Sequence, residues 1–449
     1  MKSLKNIKTS WTIILTLGAI IPGFAQQSEP VSLQKAIDLA LTNNQLINIR
    51  KMQIEEKQAK VAEDKIRKYP AVSLSSTYQY SQNLGKLVVP QGSFGSLPLS
   101  PENTIALPGE EKVFELGKHN NFNAGISVYQ PLSQLDKIKT GVAVSETEVN
   151  IAGQEKVKVS LQIRQAVERL YYGLLINQKQ KEEALSKIEL SKLRIYDVES
   201  ALLSGKTINI SKAGLLASIA DEEQNLLKLS IQAEDYTEDL KLLTGIKANE
   251  LILEPVSLNS DQYLPAETYK SMAASHNPEL KIASLTQTKA EYGIKAARLS
   301  NRPDFGLIAG YSFQTGNNLF PAHNPFIGAS LKWNIQDIFS NKEVLKQRQL
   351  NLQQARENAD YTKDQVNSSI DKTYRKLAHA TELISVAQKA LDYRKEELKL
   401  QNDKKEAGLN IETDILNTKA LIAKAESDLL SAQLNFRLSL SDLKMLTGE

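Results

Sequence analysis

The sequence contains no cysteine and only four histidines among its 449 residues. Without thiols it can form neither a disulfide framework nor a thiolate metal site, and a lipidated N-terminal cysteine is excluded. The histidines, at positions 119, 276, 323 and 379, show no paired spacing. His379 and Glu382 lie three residues apart, but two ligands make only half a metal site. We therefore expect no metal, no cofactor and no lipid anchor.

Long apolar runs are also missing, except near the start. Residues 1–25 have a basic beginning, an apolar segment from Trp11 to Ile21 and a break at Pro22, which is typical of a secretory signal peptide cleaved after Ala25. No later stretch reaches the roughly 18 uninterrupted apolar residues of a transmembrane helix. The sequence predicts an exported protein without a membrane-spanning helix.

Charge of one sign is not in excess. The three lysines of residues 1–25 account for the formal net charge of +3, and the rest of the chain is balanced. This balance gives no basis for binding nucleic acid. Phosphate-binding loops, dinucleotide-binding fingerprints and nucleophile elbows are absent from the sequence as well. We predict that the protein is not an enzyme.

What the chain does contain is an internal repeat. The string DLKLLTG at Asp239–Gly245 returns as DLKMLTG at Asp442–Gly448, 203 residues later. The register holds back to Gly125 and Gly328, and upstream of Tyr78 the offset becomes 233, so the first copy carries 30 extra residues. Self-similarity over such a span indicates a duplicated structural unit.

Each copy begins with a helical pattern, from Ser32 to Lys68 in the first, and then changes to period two, which is typical of strands. Four strands of about ten residues result. The long connection Ser81–Asn121 is rich in glycine and proline and is predicted to be an irregular loop outside the cell. The alternation assigns two sets of residues, which are Val72, Leu74, Ala124, Ile126, Leu307, Ala309, Ala329 and Leu331 facing lipid, and Ser73, Ser75, Ser127, Gly306 and Ser330 facing a lumen.

Proline is missing from two very long helical stretches, Leu135–Leu203 and Ile338–Ala407. At 1.5 Å per residue each would be about 100 Å long. Steps of four and three alternate along them, which is typical of coiled-coil packing. The seam positions of the first stretch are Val167, Tyr171, Leu174, Gln178, Lys181, Leu185, Ile188, Lys192 and Ile195, and those of the second lie 203 residues later. Both stretches end at a glycine, where the chain must reverse.

These patterns divide the chain into parts, which are a signal peptide (1–25), a first repeat (26–246, with a β-hairpin at about 70–130 and a helical hairpin at 135–245), a linker (247–264) and a second repeat (265–449, with a β-hairpin at about 303–334 and a helical hairpin at 338–447). Strands of ten residues have the length that crosses an outer membrane, and four cannot close a barrel, so the chain must oligomerise if it spans. The alternative is that the two hairpins pack together as a soluble sandwich. Aromatic residues at both strand ends favour the membrane, namely Tyr80, Phe122 and Phe313 at one end and Tyr69, Phe305 and Trp333 at the other.

The duplicated order of helix, strand, loop, strand, very long helix, glycine turn and returning helix resembles the outer-membrane efflux protein (TolC) family over essentially the whole chain after residue 25. The family's second tip turn reads G-L-x-x-x-x-D-[VI]-L-[DN]-A, and the matching residues here are Gly408, Leu409, Asp414, Ile415, Leu416 and Asn417. The resemblance implies a mainly α protein with a membrane β-barrel portion, in which three chains with four strands each form a twelve-stranded barrel. A long periplasmic α-helical coiled-coil barrel continues it.

The implied function is that of an outer-membrane exit duct in a tripartite efflux or type I secretion system, which conducts substrates passively. The implied partners are two further copies in a homotrimer, a periplasmic membrane-fusion adaptor, an inner-membrane pump of the resistance-nodulation-division or ABC type, and outer-membrane lipid. Two alternatives are a structural or adhesive coiled-coil protein of the envelope and a stand-alone porin. Conductance would test the first alternative, and capture of an adaptor would test the second.

The same resemblance assigns site residues. Asp414 and Asn417 would form the channel constriction, and Gly205, Gly408 and Leu409 would form the tip turns that dock the adaptor. Asn417 stands where many members carry a second acid, and Ser211 is the first-copy equivalent of Asp414, so an acidic ring would be thinner here. The alternative for Asp414 is that it stabilises the first turn of the returning helix.

Overall fold

The computed structural model describes residues 30–100, 103–203, 209–247, 251–256, 263–317, 320–409 and 412–448. The predicted signal peptide and Gly205 lie outside these residues. The elements of the first copy are α1 (Leu33–Asn43), α2 (Gln45–Ile66), β1 (Ala71–Tyr80), β2 (Gly85–Val89), β3 (Ser96–Ser100), β4 (Asn103–Ala106), β5 (Lys112–Leu116), β6 (Asn120–Pro131), α3 (Leu135–Leu203) and α4 (Asn209–Thr244). Those of the second copy are α5 (Ala266–His276), α6 (Pro278–Ser300), β7 (Asp304–Thr315), β8 (His323–Lys332), α7 (Ile335–Glu406) and α8 (Glu412–Thr447).

The helical segment predicted from Ser32 to Lys68 is two helices, because the chain breaks at Asn44. Asn44 has an extended ψ of 128°, and its side-chain oxygen accepts a hydrogen bond from the amide of Leu46 at 2.9 Å, which caps α2. Asn277 separates α5 from α6 in the same way and caps α6 through the amide of Leu280. An asparagine favours such a break because its side chain satisfies a free N–H group at the start of a helix.

The repeated DLKxLTG string closes each copy against this break. The side-chain nitrogen of Asn44 donates to the carbonyl of Leu243 at 3.4 Å, and that of Asn277 donates to the carbonyl of Leu446 at 2.8 Å. One asparagine therefore joins the start of one helix to the end of another in both copies. The first leucine of each string is fully buried beside it, namely Leu240 and Leu443.

The four long strands form one antiparallel sheet in the order β1-β6-β7-β8. Directly paired residues of antiparallel strands point to the same side, and the pairing connects Leu74 with Ile126, Ile126 with Tyr311, and Tyr311 with Pro325. All eight residues predicted to face lipid share this side, which we call the apolar face. All five residues predicted to face a lumen lie on the opposite side, which we call the polar face.

The polar face also holds aromatic rings, which the alternation did not indicate. The ring of Tyr129 lies over Gly306, where an added Cβ would come within 2.5 Å of it, and the ring of Phe326 lies over Gly310, where a Cβ would come within 2.6 Å. Two glycines in the middle of β7 thus make room for rings from both neighbouring strands. An aromatic ring over a strand glycine covers backbone that the glycine leaves bare.

The prediction of an irregular loop at Ser81–Asn121 is wrong for most of its length. This segment forms a two-stranded ribbon in which β2 pairs with β5 and, further out, β3 pairs with β4. Two of its glycines, Gly92 and Gly95 with φ of 78° and 91°, lie at the turn between β2 and β3 rather than within a strand. We call residues 81–119 the arm.

The long helices form a second layer, and α3 lies at its centre. Helix α3 packs against α1, α2, α4, α6 and α8, whereas α7 packs against α5, α6 and α8. Val167, Tyr171 and Ile188 of the predicted seam are buried, but Leu185 is 48% exposed. The predicted seam accounts for only part of the packing of α3, because neighbours on several sides also bury residues off the seam, namely Ile163, Leu175, Ala184 and Leu190.

Among the described helices, none is both long and apolar enough to cross a bilayer.

Candidate functional site

The sheet has two unpaired edges. Strand β1 forms one edge and β8 the other, and no strand of the described chain pairs with their outer sides. Every residue of β1 is exposed, and nine of the ten residues of β8 are. A strand edge presents a row of free N–H and C=O groups that favours pairing with another chain.

The helical layer is open on the corresponding sides. Its order is α4, α3, α8 and α7, because α3 packs against both α4 and α8, and α8 packs against α7. Within the described residues no comparable packing joins α4 to α7. In the duplicated fold, α7 is the counterpart of α3 and α4 is the counterpart of α8. The contact of α3 with α8 therefore has no equivalent between α7 and α4 within the described residues, and we call this missing contact the gap.

Two pairs of counterpart residues show what the gap exposes. Leu190 of α3 is 6% exposed, whereas Tyr393, its counterpart on α7, is 69% exposed. Leu430 of α8 packs against the apolar core around α3, whereas Leu227, its counterpart on α4, is 62% exposed. Positions that the contact between α3 and α8 buries thus have counterparts on α7 and α4 whose apolar side chains are exposed.

The contact between α3 and α8 is partly ionic. Nζ of Lys179 on α3 lies 3.1 Å from a carboxylate oxygen of Glu426 on α8 and 2.8 Å from Glu182 on its own helix. Burial acts to lower the pKa of Lys179, but the hydrogen bonds to Glu182 and Glu426 outweigh it and raise that pKa. Lys179 therefore stays charged between the two helices.

A cavity of about 300 Å³ lies where α1, α3, α8 and residues 254–256 meet. Glu168 on its wall is only 8% exposed, and burial raises the pKa of its carboxyl group, against a hydrogen bond from Ser441 and the charges of nearby basic groups. No sequence pattern indicated this group, and its counterpart Asp371 forms an ordinary ion pair with Lys270 at 2.9 Å. Burial of Glu168 comes from α8, which a single-helix pattern does not reveal.

The tip at the end of α7 is a Schellman turn. The amide of Gly408 donates to the carbonyl of Lys405 at 3.0 Å, and the amide of Leu409 donates to that of Lys404 at 3.2 Å. Gly408 has φ of 90°, a conformation that favours glycine, and open space surrounds its Cα. Leu409 is 55% exposed. The predicted glycine turn is therefore present at Gly408, and an apolar side chain stands free beside it.

Helix α8 begins next to this turn with acidic residues. Lys405 and Glu412 form an ion pair across the tip, and the hydrogen bond from Lys405 lowers the pKa of Glu412. Asp414 lies in the first turn of α8, where the helix dipole favours a carboxylate. Asp414 and Asn417 are exposed side by side, one turn apart, while the intervening Ile415 is 3% exposed.

Within the described residues, no group of three or more His, Asp or Glu side chains is arranged to hold a metal ion.

Residues 270–449 match the family model described as Outer membrane efflux protein. This region is the second copy, and the first copy repeats its elements one by one. The second copy therefore carries the sequence pattern of the outer membrane efflux proteins. No curated protein matches the sequence.

Solved structures show the same fold over nearly the entire chain. The CmeC outer membrane channel of Campylobacter jejuni superposes with a TM-score of 0.72 at 16% identity, covering 100% of this chain and 94% of that one. CusC superposes with a TM-score of 0.69 at 16% identity, covering 92% of this chain and 91% of that one. VceC of Vibrio cholerae superposes with a TM-score of 0.67 at 15% identity, covering 93% of this chain and 96% of that one. The predicted fold class is confirmed for the single chain, with very long coiled helices and a sheet of four long strands.

Proposed function

We propose that three copies of this chain form the outer-membrane exit duct of a tripartite efflux or type I secretion system and conduct substrates passively to the exterior. The observation that carries this proposal is that the strand layer and the helix layer are open on both sides. A four-stranded sheet cannot close alone, whereas twelve strands can. The same repetition closes the ring of long helices.

In this trimer β1 of one chain pairs with β8 of the next, and α7 of one chain packs on α4 of the next. The second contact repeats, between chains, the contact that α3 and α8 make within one chain. The apolar face then meets lipid and the polar face lines the lumen, which is the only closure that leaves its Ser and Asn side chains in water. Passive conduction is the mode of transport that the family resemblance implies.

The energy would come from an inner-membrane pump of the resistance-nodulation-division or ABC type, connected through a periplasmic membrane-fusion adaptor. The helical tips are the surfaces that such an adaptor would meet. Exposed Leu409 beside the rigid turn at Gly408 supplies an apolar contact there, and Gly205 is expected to make the equivalent turn in the first copy. Export to the outer membrane would use the signal peptide of residues 1–25, without a lipid anchor.

The proposed constriction is a ring of Asp414 and Asn417 from three chains. Three carboxylates near one axis repel one another and favour cations, so they resist closure unless a cation or a donor neutralises them. Ser211, the first-copy counterpart, adds no charge, so the ring has three acids. Asp414 is exposed while the adjacent Ile415 is buried, so its carboxylate is free to face the interior of the duct. It also has a favourable place in the first turn of α8.

Three measurements test the duct. Native mass spectrometry in detergent should give a trimer, planar bilayers should show channels, and the periplasmic adaptor should be captured with the protein. A monomer that keeps its full strand content contradicts the barrel. A trimer that does not conduct favours the coiled-coil structural protein, and a conducting trimer that binds no adaptor favours the stand-alone porin.

Two tip variants test the sites. Asp414→Asn should raise the resting single-channel conductance because it removes the three carboxylates through which a bound cation or hydrogen-bond donors would hold the mouth narrow, and unchanged conductance would leave Asp414 as a helix-stabilising residue only. Gly408→Val should abolish export and leave the trimer intact, since a side chain at positive φ costs roughly 1 kcal/mol or more and distorts the tip. Gly214→Ala is the matched control, because Gly214 also has open space around it but lies within α4.

A further inference from the structure

The arm leaves the sheet between β1 and β6 and bends toward the polar face. The amide of Lys118 donates to the carbonyl of Gly316 in the β7–β8 connection at 2.7 Å. An added Cβ at Gly117 would lie 2.8 Å from the same carbonyl oxygen, so the base of the arm is pressed against that connection. This contact fixes the direction in which the ribbon leaves the sheet.

A polar cavity of about 300 Å³ lies under the base of the arm. The sheet contributes amide side chains that all belong to the polar face, namely Gln79, Asn121, Asn123 and Gln314. The arm contributes Gly85 and Leu116, a directly opposed pair. One face of the ribbon thus lies above the lumen side of the sheet, at the end where the strands connect.

The same face of the ribbon continues outward and is exposed in the described part of the chain. Leu87 and Phe114 are the next pair on this face, since side chains two residues apart in a strand point the same way. They are 51% and 54% exposed. A two-stranded ribbon alone is marginally stable in water, so an arm with exposed Leu and Phe side chains requires something to pack against.

We propose that the arms of three chains pack on one another across the outer mouth of the barrel, with the faces that carry Leu87 and Phe114 turned toward the common axis. This inference rests on the trimer proposed above. Its partner is a second copy of the chain, because the ribbon continues directly from β1, the edge that would join the neighbouring chain, and leans over the face that the three chains share.

The arm is long enough for this contact. Twelve strands about 4.8 Å apart and tilted by about 40° give a circumference of about 75 Å and a radius of about 12 Å. The five-residue ladder of β2 and β5 spans about 17 Å. The arm therefore reaches from the barrel wall to the axis before its outer ladder of β3 and β4 begins.

Other occupants fit less well. Lipid would contact the apolar face of the sheet, whereas Gly85, Leu87, Phe114 and Leu116 follow the polar face. A phosphate-bearing surface glycolipid would need an excess of basic residues, but residues 81–119 contain three lysines and four glutamates. A second copy requires neither lipid exposure nor charge.

Cross-linking across the axis tests the proposal, and the absence of cysteine from the sequence means that an introduced thiol reacts alone. Phe114→Cys, treated with a short homobifunctional maleimide in outer membranes, should give covalently linked dimers of the chain. Val113→Cys is the matched control, because Val113 is adjacent, is 50% exposed and lies on the opposite face of the ribbon. Equal dimer yields from both variants, no dimer from Phe114→Cys, or a link from it to another molecule would overturn the proposal.

A shortened arm gives an independent measurement. Replacing residues 86–115 by Asn-Gly joins Gly85 to Leu116 through a tight hairpin turn and should raise single-channel conductance while the trimer stays intact by native mass spectrometry. A trimer with unchanged conductance overturns the arm contact and leaves the duct standing. Failure of the duct itself looks different, because it would appear in the unaltered protein as the absence of a trimer, of conductance or of adaptor binding.

Discussion

The two copies have the same elements but different surroundings. In the first copy, α3 is enclosed by α4 and α8, whereas α7 of the second copy has α8 and no counterpart on its other side. Leu190 and Tyr393 occupy equivalent places and differ in exposure from 6% to 69%. The difference lies in the position of each copy in the chain, not in its fold. One surface is completed inside the chain, and its equivalent is left for another chain.

Charges at this surface are exchanged between the copies. Within the chain, Arg437 of α8 lies near Tyr172 and Glu168 of α3. At the open surface, α4 carries Glu234 where α8 has Arg437, and α7 carries Arg375 where α3 has Tyr172. The basic residue thus lies on the returning helix α8 at the covered surface but on the long helix α7 at the open one, where the returning helix α4 carries an acidic residue. Opposite charges on the two open faces fit a contact between chains and disfavour the reverse pairing.

The largest expected effect is in the membrane layer, where the two copies should behave alike. Ile126→Arg and Ala329→Arg place a charge at counterpart positions of the apolar face and should each cost about 2–4 kcal/mol near the bilayer midplane. Ser127→Arg and Ser330→Arg, on the polar face, should cost much less. Thermal dissociation of the trimer on gels measures both pairs. Equal tolerance of all four changes would mean that the faces are misassigned.

The next effect concerns the open helical surface. If the neighbouring chain covers Leu227 as α3 covers Leu430, Leu227→Ala should weaken the trimer by about 1.5–3 kcal/mol per chain, the cost of losing a buried leucine side chain. Tyr196→Ala is the control, since Tyr196 is 68% exposed and its counterpart Lys399 is exposed as well. Denaturant titration of the trimer should separate them. A trimer no weaker with Leu227→Ala than with the control would show that α4 faces solvent.

A smaller effect separates the ends of the two copies. Gly245 and Gly448 both have positive φ, so alanine costs about 1 kcal/mol at each from backbone strain. At Gly448 a Cβ would also collide with the carbonyl of His276, whereas at Gly245 the nearest atom is Cβ of Asn43, at 3.3 Å. Gly448→Ala should therefore destabilise more than Gly245→Ala in thermal unfolding followed by circular dichroism. The reverse order would contradict the close approach at His276.

The smallest effect tests the exchanged charges. Arg375→Glu should weaken the trimer by about 0.2–1 kcal/mol, because exposed ion pairs contribute no more than that. Adding Glu234→Arg to this variant should restore the stability of the trimer, and Glu234→Arg alone should weaken the trimer by a similar amount. A double-mutant cycle on trimer dissociation at low salt gives the coupling. If the losses of trimer stability from the two single variants add up in the double variant, the two residues are not in contact.

The local sequence pattern predicted the elements well where the periodicity of apolar residues was regular along the segment. The predicted limits of α3, Leu135 and Leu203, are those observed, and the period of two predicted all four strands of the sheet. The arm was missed because its glycines were counted as breaks, although Gly92 and Gly95 connect β2 and β3, which are each paired with a later strand. Composition does not tell a turn between paired strands from an unpaired loop.

Contacts between distant segments could not be predicted from the sequence. The DLKxLTG string marked the repeat, but its hydrogen bond to Asn44 joins residues 199 positions apart. Likewise Glu168 is buried by a helix from the other copy. For the proposed constriction, the sequence placed Asp414 correctly at the start of α8, and its role in conduction stays a prediction. The turn assigned to Gly205 lies outside the described residues.

The paired asparagines also allow each copy to close independently. The bond from Asn44 reaches Leu243, and the bond from Asn277 reaches Leu446, so each copy is closed by its own last turn. A chain that enters the periplasm N-terminus first can close the first copy before any of the second has emerged, as domains fold during synthesis. The species released midway is then a closed half-molecule whose α3 still lacks α8. Periplasmic chaperones would meet this half-molecule, with one bare helical flank, rather than a fully extended chain.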